Sequence, residues 1–306
     1  MDAYLNLLER VLIDGIKDTE TRGQPTIQSF GESITVDLKE GLPILTTKEI
    51  RLKNIIGEML WFISGKNTIN DLKENNINFW EDWADNEGRV ESYGRYWRYL
   101  PLSNHEPVND PDEPGDVWVD GKPYLGRNSE FVTMDKDGKP YFDQLAYVYQ
   151  TLKRNPGSRR IKLDQWVSQN AFASSLPPCP CHLVFNTHPR PYGEDERVLN
   201  LHVWQRSADV PIGVPYNLAV YGCFLMCLAI DLHFVPGKLK FSFTNAHIYK
   251  DQVDKAYNQL SRIPRSRPMF RAIPDGTVLS WGMENIDDFS IAGYNPLPSI
   301  KYPVQT

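Results

Sequence analysis

A chain of 306 residues that is 41% hydrophobic and 12% aromatic can bury one large core or two small ones. A formal net charge of −6 argues against a dedicated nucleic-acid surface, although arginines gathered in one place can still grip an anionic ligand. Four cysteines at this length suit reduced thiols and a cytoplasmic protein rather than a disulfide framework, and neither a secretory leader nor a membrane-spanning run is read in the chain.

Leu5, Leu8, Val11, Leu12 and Ile16 recur at helical spacing and predict a helix over 3–18. Ile34, Val36 and Leu38 alternate with polar residues, which predicts a strand over 30–38; helices follow over 51–65 and 69–75. Residues 101–140 are crowded with Asp, Pro and Gly and read as turns, so the stretch is taken as a loop-rich insertion within a single domain spanning 1–306. Beyond it the pattern gives a helix over 143–154, strands over 160–165 and 182–188, and an extended hairpin loop over 189–196. A strand over 198–206 leads to a run from Leu218 to Leu232 that is apolar on every side, as expected of a buried helix at about 217–232. A strand over 239–247, with Leu239, Phe241 and Phe243 on one face, and a helix over 250–262 complete the pattern. Helices and strands intersperse without a regular strand–helix–strand rhythm, so the fold class is α+β.

The string Gln205-Arg206-Ser207-Ala208-Asp209-Val210-Pro211-Ile212-Gly213-Val214-Pro215-Tyr216-Asn217 brings several polar groups to the entrance of that buried helix. Unpaired polar groups are costly there, and a polar ligand is the natural partner. Upstream, Pro178-Cys179-Pro180-Cys181-His182 sets a thiol beside a basic group, as covalent catalysis requires. Taken alone, these cysteines would be small core residues. Cys-x-Cys-His lacks the second ligand pair of zinc motifs, and Cys223 and Cys227 lie in the apolar helix, so no metal is expected. Glu58 stands in an otherwise apolar helix; if buried, its pKa would rise and suit it to moving protons. His247 and Tyr249, two apart at a strand end, share a face. Arg159 and Arg160, after a turn, would ordinarily be a solvated pair.

These stretches together resemble the thymidylate synthase family, whose signature is a Pro-Cys-His segment followed by Gln-Arg-Ser-x-Asp-x-x-x-Gly-x-Pro-Phe-Asn. The resemblance runs from the Tyr4-Leu5 helix to 300–304. It implies a central mixed sheet packed with helices, and a homodimer in which Arg159 and Arg160 reach the partner's site. The substrates it implies are dUMP and, as co-substrate, 5,10-methylenetetrahydrofolate. The nucleophile is Cys181, which reproduces the Cys-His pair with His182, or Cys179, which gives Leu-Pro-Pro-Cys and a more usual gap from Arg160.

By the same resemblance, Arg22, Arg159, Arg160 and Arg206 grip the nucleotide phosphate, with Ser207 beside them; planar guanidinium groups donate paired bonds to phosphate. Asn217 reads the base, since its amide offers a donor to the uracil carbonyl and an acceptor to the ring N–H. Asn is also a good helix N-cap, and the two roles are compatible. His247 and Tyr249 hold the sugar hydroxyl. Glu58 and Tyr93 serve the proton network. Lys48, Trp80, Trp83, Asp209, Gly213 and Tyr216 belong to the folate site, Lys48 at its glutamate tail. The implied product is dTMP with dihydrofolate. A hydroxymethylase giving 5-hydroxymethyl-dUMP is the alternative, and a non-catalytic nucleotide-binding homologue a remote one. Departures from the family pattern are the doubled cysteine, Asn186 for Gln, Asn245 for Asp, Tyr216 for Phe, and a chain ending in Thr306.

Overall fold

The computed structural model describes residues 2–19, 24–101, 118–119, 122–123, 131–135, 137–168, 176–190 and 196–304. The first half of the chain forms α1 (Asp2–Asp14), β1 (Ile16–Asp18), β2 (Thr26–Asp37), α2 (Leu52–Ser64), α3 (Asn70–Glu74), β3 (Leu100–Pro101), β4 (Trp118–Val119), β5 (Lys122–Pro123), β6 (Val132–Met134) and β7 (Pro140–Phe142). The second half forms α4 (Gln144–Arg154), β8 (Lys162–Asp164), β9 (Pro180–Pro189), β10 (Arg197–Asp209), α5 (Gly213–Asp231), β11 (Val235–Tyr249), α6 (Val253–Leu260), β12 (Met269–Ala272) and β13 (Phe289–Ala292). The class is α+β, as the interspersed pattern implies.

Among the described residues, six strands make the main sheet in the order β1-β2-β11-β10-β9-β8. β10 and β11 run parallel and the other neighbours antiparallel, so the sheet is mixed. Period-two alternation gives it two unlike faces. Ile34, Leu183, Phe185, Val203, Phe241 and Phe243 are buried on one, while Thr35, Val184, Asn186, His202, Trp204 and Lys240 are exposed on the other. α5 packs on the sheet through β10 and β11 and against α2. Its backbone approaches the 42–43 segment so closely at Gly222 that a Cβ would lie 2.6 Å from the Pro43 ring.

Several expectations are corrected. The first helix stops at Asp14 instead of 18, because the chain turns at Gly15, where a Cβ would meet the Val11 carbonyl at 2.2 Å. Residues 16–18 then pair with β2. The buried helix begins at Gly213, earlier than 217, since Pro215 falls in its first turn, where a missing N–H removes no helical bond. Residues 250–262 open with a 3₁₀ turn at Lys250–Gln252 before α6. One segment is long and apolar enough to cross a membrane: α5 has 19 residues and a mean hydropathy of 1.6. Most of that helix is buried inside the fold. Within 101–140, β3, β6 and β7 form one small sheet and β4 and β5 a hairpin, and much of the remainder lies outside the described residues, as do 191–195 of the hairpin loop.

Candidate active site

The thiols lie where β9 starts beside β10. The register slips between Trp204 and Gln205, opposite Pro180, and the Arg206 backbone N–H donates to the Cys179 carbonyl at 3.0 Å. Cys179 is half-buried, whereas Cys181 is 3% exposed and directs its thiol to the Cys179 carbonyl at 3.7 Å. Burial pushes the Cys179 thiol up; Arg206 opposes that, and Cys181 and Asp209 add to it. Burial likewise raises Cys181, with the Arg206 backbone and guanidinium opposing. The Arg206 side chain donates from Nε to the Pro178 carbonyl at 2.8 Å and from Nη2 to that of Pro177 at 3.0 Å, and lies 5.0 Å from the Trp166 ring centre. It therefore braces the cysteine loop. Arginine's remaining N–H groups are available to an anion.

His182 departs from the sequence expectation of a Cys–His partnership. Its Nδ1 lies 2.6 Å from Asp164 and its ring stacks on Trp204 at 5.2 Å, on the exposed face of the sheet. Adjacent strand residues point to opposite faces, so His182 turns away from Cys181.

Within electrostatic reach of the thiols is a buried cluster of titratable groups. Glu58, on α2, is 7% exposed and accepts from Trp80 Nε1 at 2.9 Å. Burial pushes its carboxyl up to about 7, with the Trp80 bond pulling the other way. Tyr93 packs on Phe62 at 5.2 Å and Trp80 at 5.8 Å. Burial, Glu58, Tyr221 and Cys179 all raise its hydroxyl, keeping it protonated. Tyr221, which donates to Gln165 Oε1 at 3.0 Å, was not singled out from sequence, because a tyrosine in an apolar helix gives no signal of its neighbours. Asn217 sits inside α5, half-buried, with no side-chain hydrogen bond among the described residues. It is not an N-cap: Ile212 holds that position and donates its N–H to Asp209 Oδ1 at 2.8 Å.

Asp209 ends β10 and is pushed up to about 6 by burial, opposed by hydrogen bonds from Gln252 and Ile212 and by Lys48. Lys48 departs from the expected contact with a glutamate tail. It is 5% exposed, donates to the Pro211 carbonyl at 2.6 Å and lies 4.8 Å from the Tyr302 ring centre; burial lowers it to about 8. Its ammonium is directed inward, to the Pro211 carbonyl and the Tyr302 ring. Gln252, missed from sequence because a glutamine entering a helix reads as solvated, is fully buried. Its Nε2 donates to Asp209 at 3.0 Å and to the Pro303 carbonyl at 3.2 Å, and its Oε1 accepts from the Tyr249 N–H at 3.1 Å.

His247 is 9% exposed, with its ring 5.1 Å from Tyr249. Ser207 pairs with Asn245 and Asp209 with His247 across β10 and β11, which brings the expected sugar and folate residues side by side. Trp80 is buried, whereas Trp83, Tyr216 and Phe79 are half-buried; Tyr216 lies 6.2 Å from Phe79 at the start of α5, near Gly213. Arg159 and Arg160 are exposed in the turn after α4, and Arg22 lies outside the described residues. No cluster of His, Cys, Asp and Glu among the described residues is suited to a metal ion.

A mixed sheet with paired thiols at the start of β9, a buried carboxyl raised to about 7 and an amide with no side-chain hydrogen bond among the described residues offers the kinds of group used in covalent and proton-transfer catalysis. The family model described as thymidylate synthase matches residues 2–306, and the chain belongs to that family. Membership supports one-carbon transfer to dUMP and a transferase role in nucleotide biosynthesis.

Proposed function

We propose that the enzyme converts dUMP and methylenetetrahydrofolate to dTMP and dihydrofolate, with Cys179 as nucleophile. Cys179 is the more exposed of the two residues, and its charge environment comprises Arg206, Cys181, Asp209, Tyr93, Tyr221 and Tyr249. Cys181 serves as a buried neighbour. Burial disfavours the resting thiolate, and the Arg206 charge opposes that penalty. The thiolate adds to carbon 6 across the 5,6 double bond and carbon 5 becomes nucleophilic; once the one-carbon unit at carbon 5 is reduced, the enolate expels the sulfur, re-forming the double bond and freeing Cys179. Asn217 meets the oxygen at position 4 and the N–H at position 3. Glu58, half-protonated near neutrality, relays protons to that oxygen, and Tyr93 assists removal of the proton from carbon 5. The folate supplies the one-carbon unit and, in the synthase reaction, the hydride; Asp209, Trp80, Trp83 and Tyr216 orient it.

The observation that supports the synthase reading is the Trp80–Glu58 bond between two buried side chains, together with a C-terminal segment tied down at Pro303. A dry site favours hydride over water. The rival hydroxymethylase reading draws on Tyr216, a hydroxyl within electrostatic reach of Glu58 where the family has Phe. Incubation with dUMP and methylenetetrahydrofolate, followed by product mass, separates them: the methyl product is expected, the hydroxymethyl product supports the rival, and no product indicates a binding protein. Cys179→Ser should lower kcat by on the order of 10³-fold or more, with Cys181→Ser within about 10-fold of wild type; the reverse pattern moves the nucleophile to Cys181.

The same reading takes the chain as one domain that dimerises through its exposed sheet face. A hollow of about 590 Å³ on that face is lined by Val184, Asn186, His202 and Lys240 among others, and Trp204 stands 39% exposed. The free thiols suit the reducing cytoplasm.

A further inference from the structure

Four polar residues on β1, β2 and β11 share one face of the sheet. Asp18 pairs with Thr26, two residues before Gln28; Gln28 pairs with His247, and Asn245 is two residues before His247. Their side chains touch in series. Gln28 Nε2 donates to Asp18 Oδ2 at 2.7 Å, Asn245 Nδ2 donates to Gln28 Oε1, and Asn245 Oδ1 faces His247 Nδ1 at 2.9 Å. The direction of this series is fixed at one end. A carboxylate accepts only, so Gln28 must turn its amide N–H groups to Asp18 and its oxygen to Asn245. Asn245 must then donate from Nδ2, which leaves Oδ1 toward the imidazole. An oxygen there requires a proton on Nδ1.

We infer that Asp18, Gln28 and Asn245 are positioning residues that form a one-way hydrogen-bond relay, holding His247 as the Nδ1–H tautomer with Nε2 a bare acceptor. The ligand group opposite must therefore be a donor. With the proposed reading that His247 meets the sugar, on which this last step rests, the relay selects a nucleotide with a free 3′-hydroxyl. Burial agrees with a neutral ring, lowering the imidazolium to about 4. Asn245 has a part that an aspartate could not play: a carboxylate would have no N–H for Gln28, and the polarity of the series would no longer be set from Asp18.

The test reads the tautomer first. Nitrogen NMR of the ligand-free, full-length protein near neutral pH should show His247 protonated at Nδ1 alone; an Nε2–H or doubly protonated ring overturns the relay. Asp18→Asn, at the half-buried far end, restores a donor there and lets both amides reverse, so a second tautomer should appear while the fold persists. In the same variant the preference for dUMP over its 3′-deoxy analogue should fall by about 5-fold or more, with analogue binding unchanged. An unaltered tautomer and unaltered preference in Asp18→Asn sink the proposal. The NMR arm needs no substrate, so it separates failure of the relay from failure of the dUMP reading.

Discussion

Glu58 shows how one side chain carries opposite signs in stability and in chemistry. Its carboxyl ordinarily titrates near 4.5 and is held at about 7 by burial, with the Trp80 bond only partly offsetting this. A carboxyl raised in the folded state contributes stability fully below its unfolded value, and that contribution is lost as pH rises through about 7. Above that the charged form costs the fold on the order of 3 kcal/mol, at about 1.4 kcal/mol per tenfold. Glu58→Gln stays neutral and can still accept from Trp80. Its stability relative to wild type should be near zero at about pH 5 and positive by up to about 3 kcal/mol at about pH 8, read by urea unfolding of the unliganded proteins. Activity should move the other way, with kcat down by about 10²–10⁴-fold. Equal stabilities at the higher pH would show the carboxyl to be solvated and unfit as a proton relay. The residue was legible in sequence as a carboxylate in an apolar helix. Its indole partner was not, since the two are 22 positions apart and meet only in the fold. His182 was read the wrong way for a complementary reason: adjacency in sequence becomes opposition of faces once the segment is a strand.

At the scale of elements, periodicity located the main helices and strands, and tertiary contact decided their ends. Gly15 and Pro215 moved two helix boundaries, and neither displacement follows from apolar spacing alone. The connection among β10, β11 and the C-terminal segment was invisible for the same reason, because Gln252 links residues 43 and 51 positions away. That amide is the physical tie between Asp209, the N–H of Tyr249 and the last described turn of chain. Gln252→Leu keeps the bulk and leaves the Pro303 carbonyl, an Asp209 oxygen and the Tyr249 N–H without partners. Each buried orphan costs about 1–3 kcal/mol, so a loss of about 2–5 kcal/mol is expected after water relieves part of it. The KM for folate should rise by about 10-fold or more with a smaller change in dUMP affinity, and amide exchange over 296–304 should quicken. Uniform loss of both affinities with unchanged tail exchange would reduce Gln252 to a packing residue.

For the whole molecule, the exposed sheet face and the two exposed arginines pose one question. A face bearing Val184, Trp204, Asn186 and Lys240 is left uncovered, and α5 fills only the other side. A two-fold dimer would cover it with its own copy, because an isologous interface needs only one self-complementary patch. Trp204 is central, so Trp204→Glu repeats a charge across the axis and should yield a monomer by sedimentation, with activity lost although every residue near Cys179 is intact. A second measurement separates loss of the dimer from damage to the sheet. If Arg159 and Arg160 complete the neighbour's site, a protomer carrying Arg160→Ala and one carrying Cys179→Ser are each inactive. Mixed and reassociated, half of the dimers are hybrids, and each hybrid has one site with its own cysteine and an intact arginine from the other chain. Recovery should approach about a quarter of wild-type activity by that symmetry. Recovery at the level of the separate mutants would mean that each chain builds its site alone, and the exposed arginines would then be solvated, as their sequence context alone suggests.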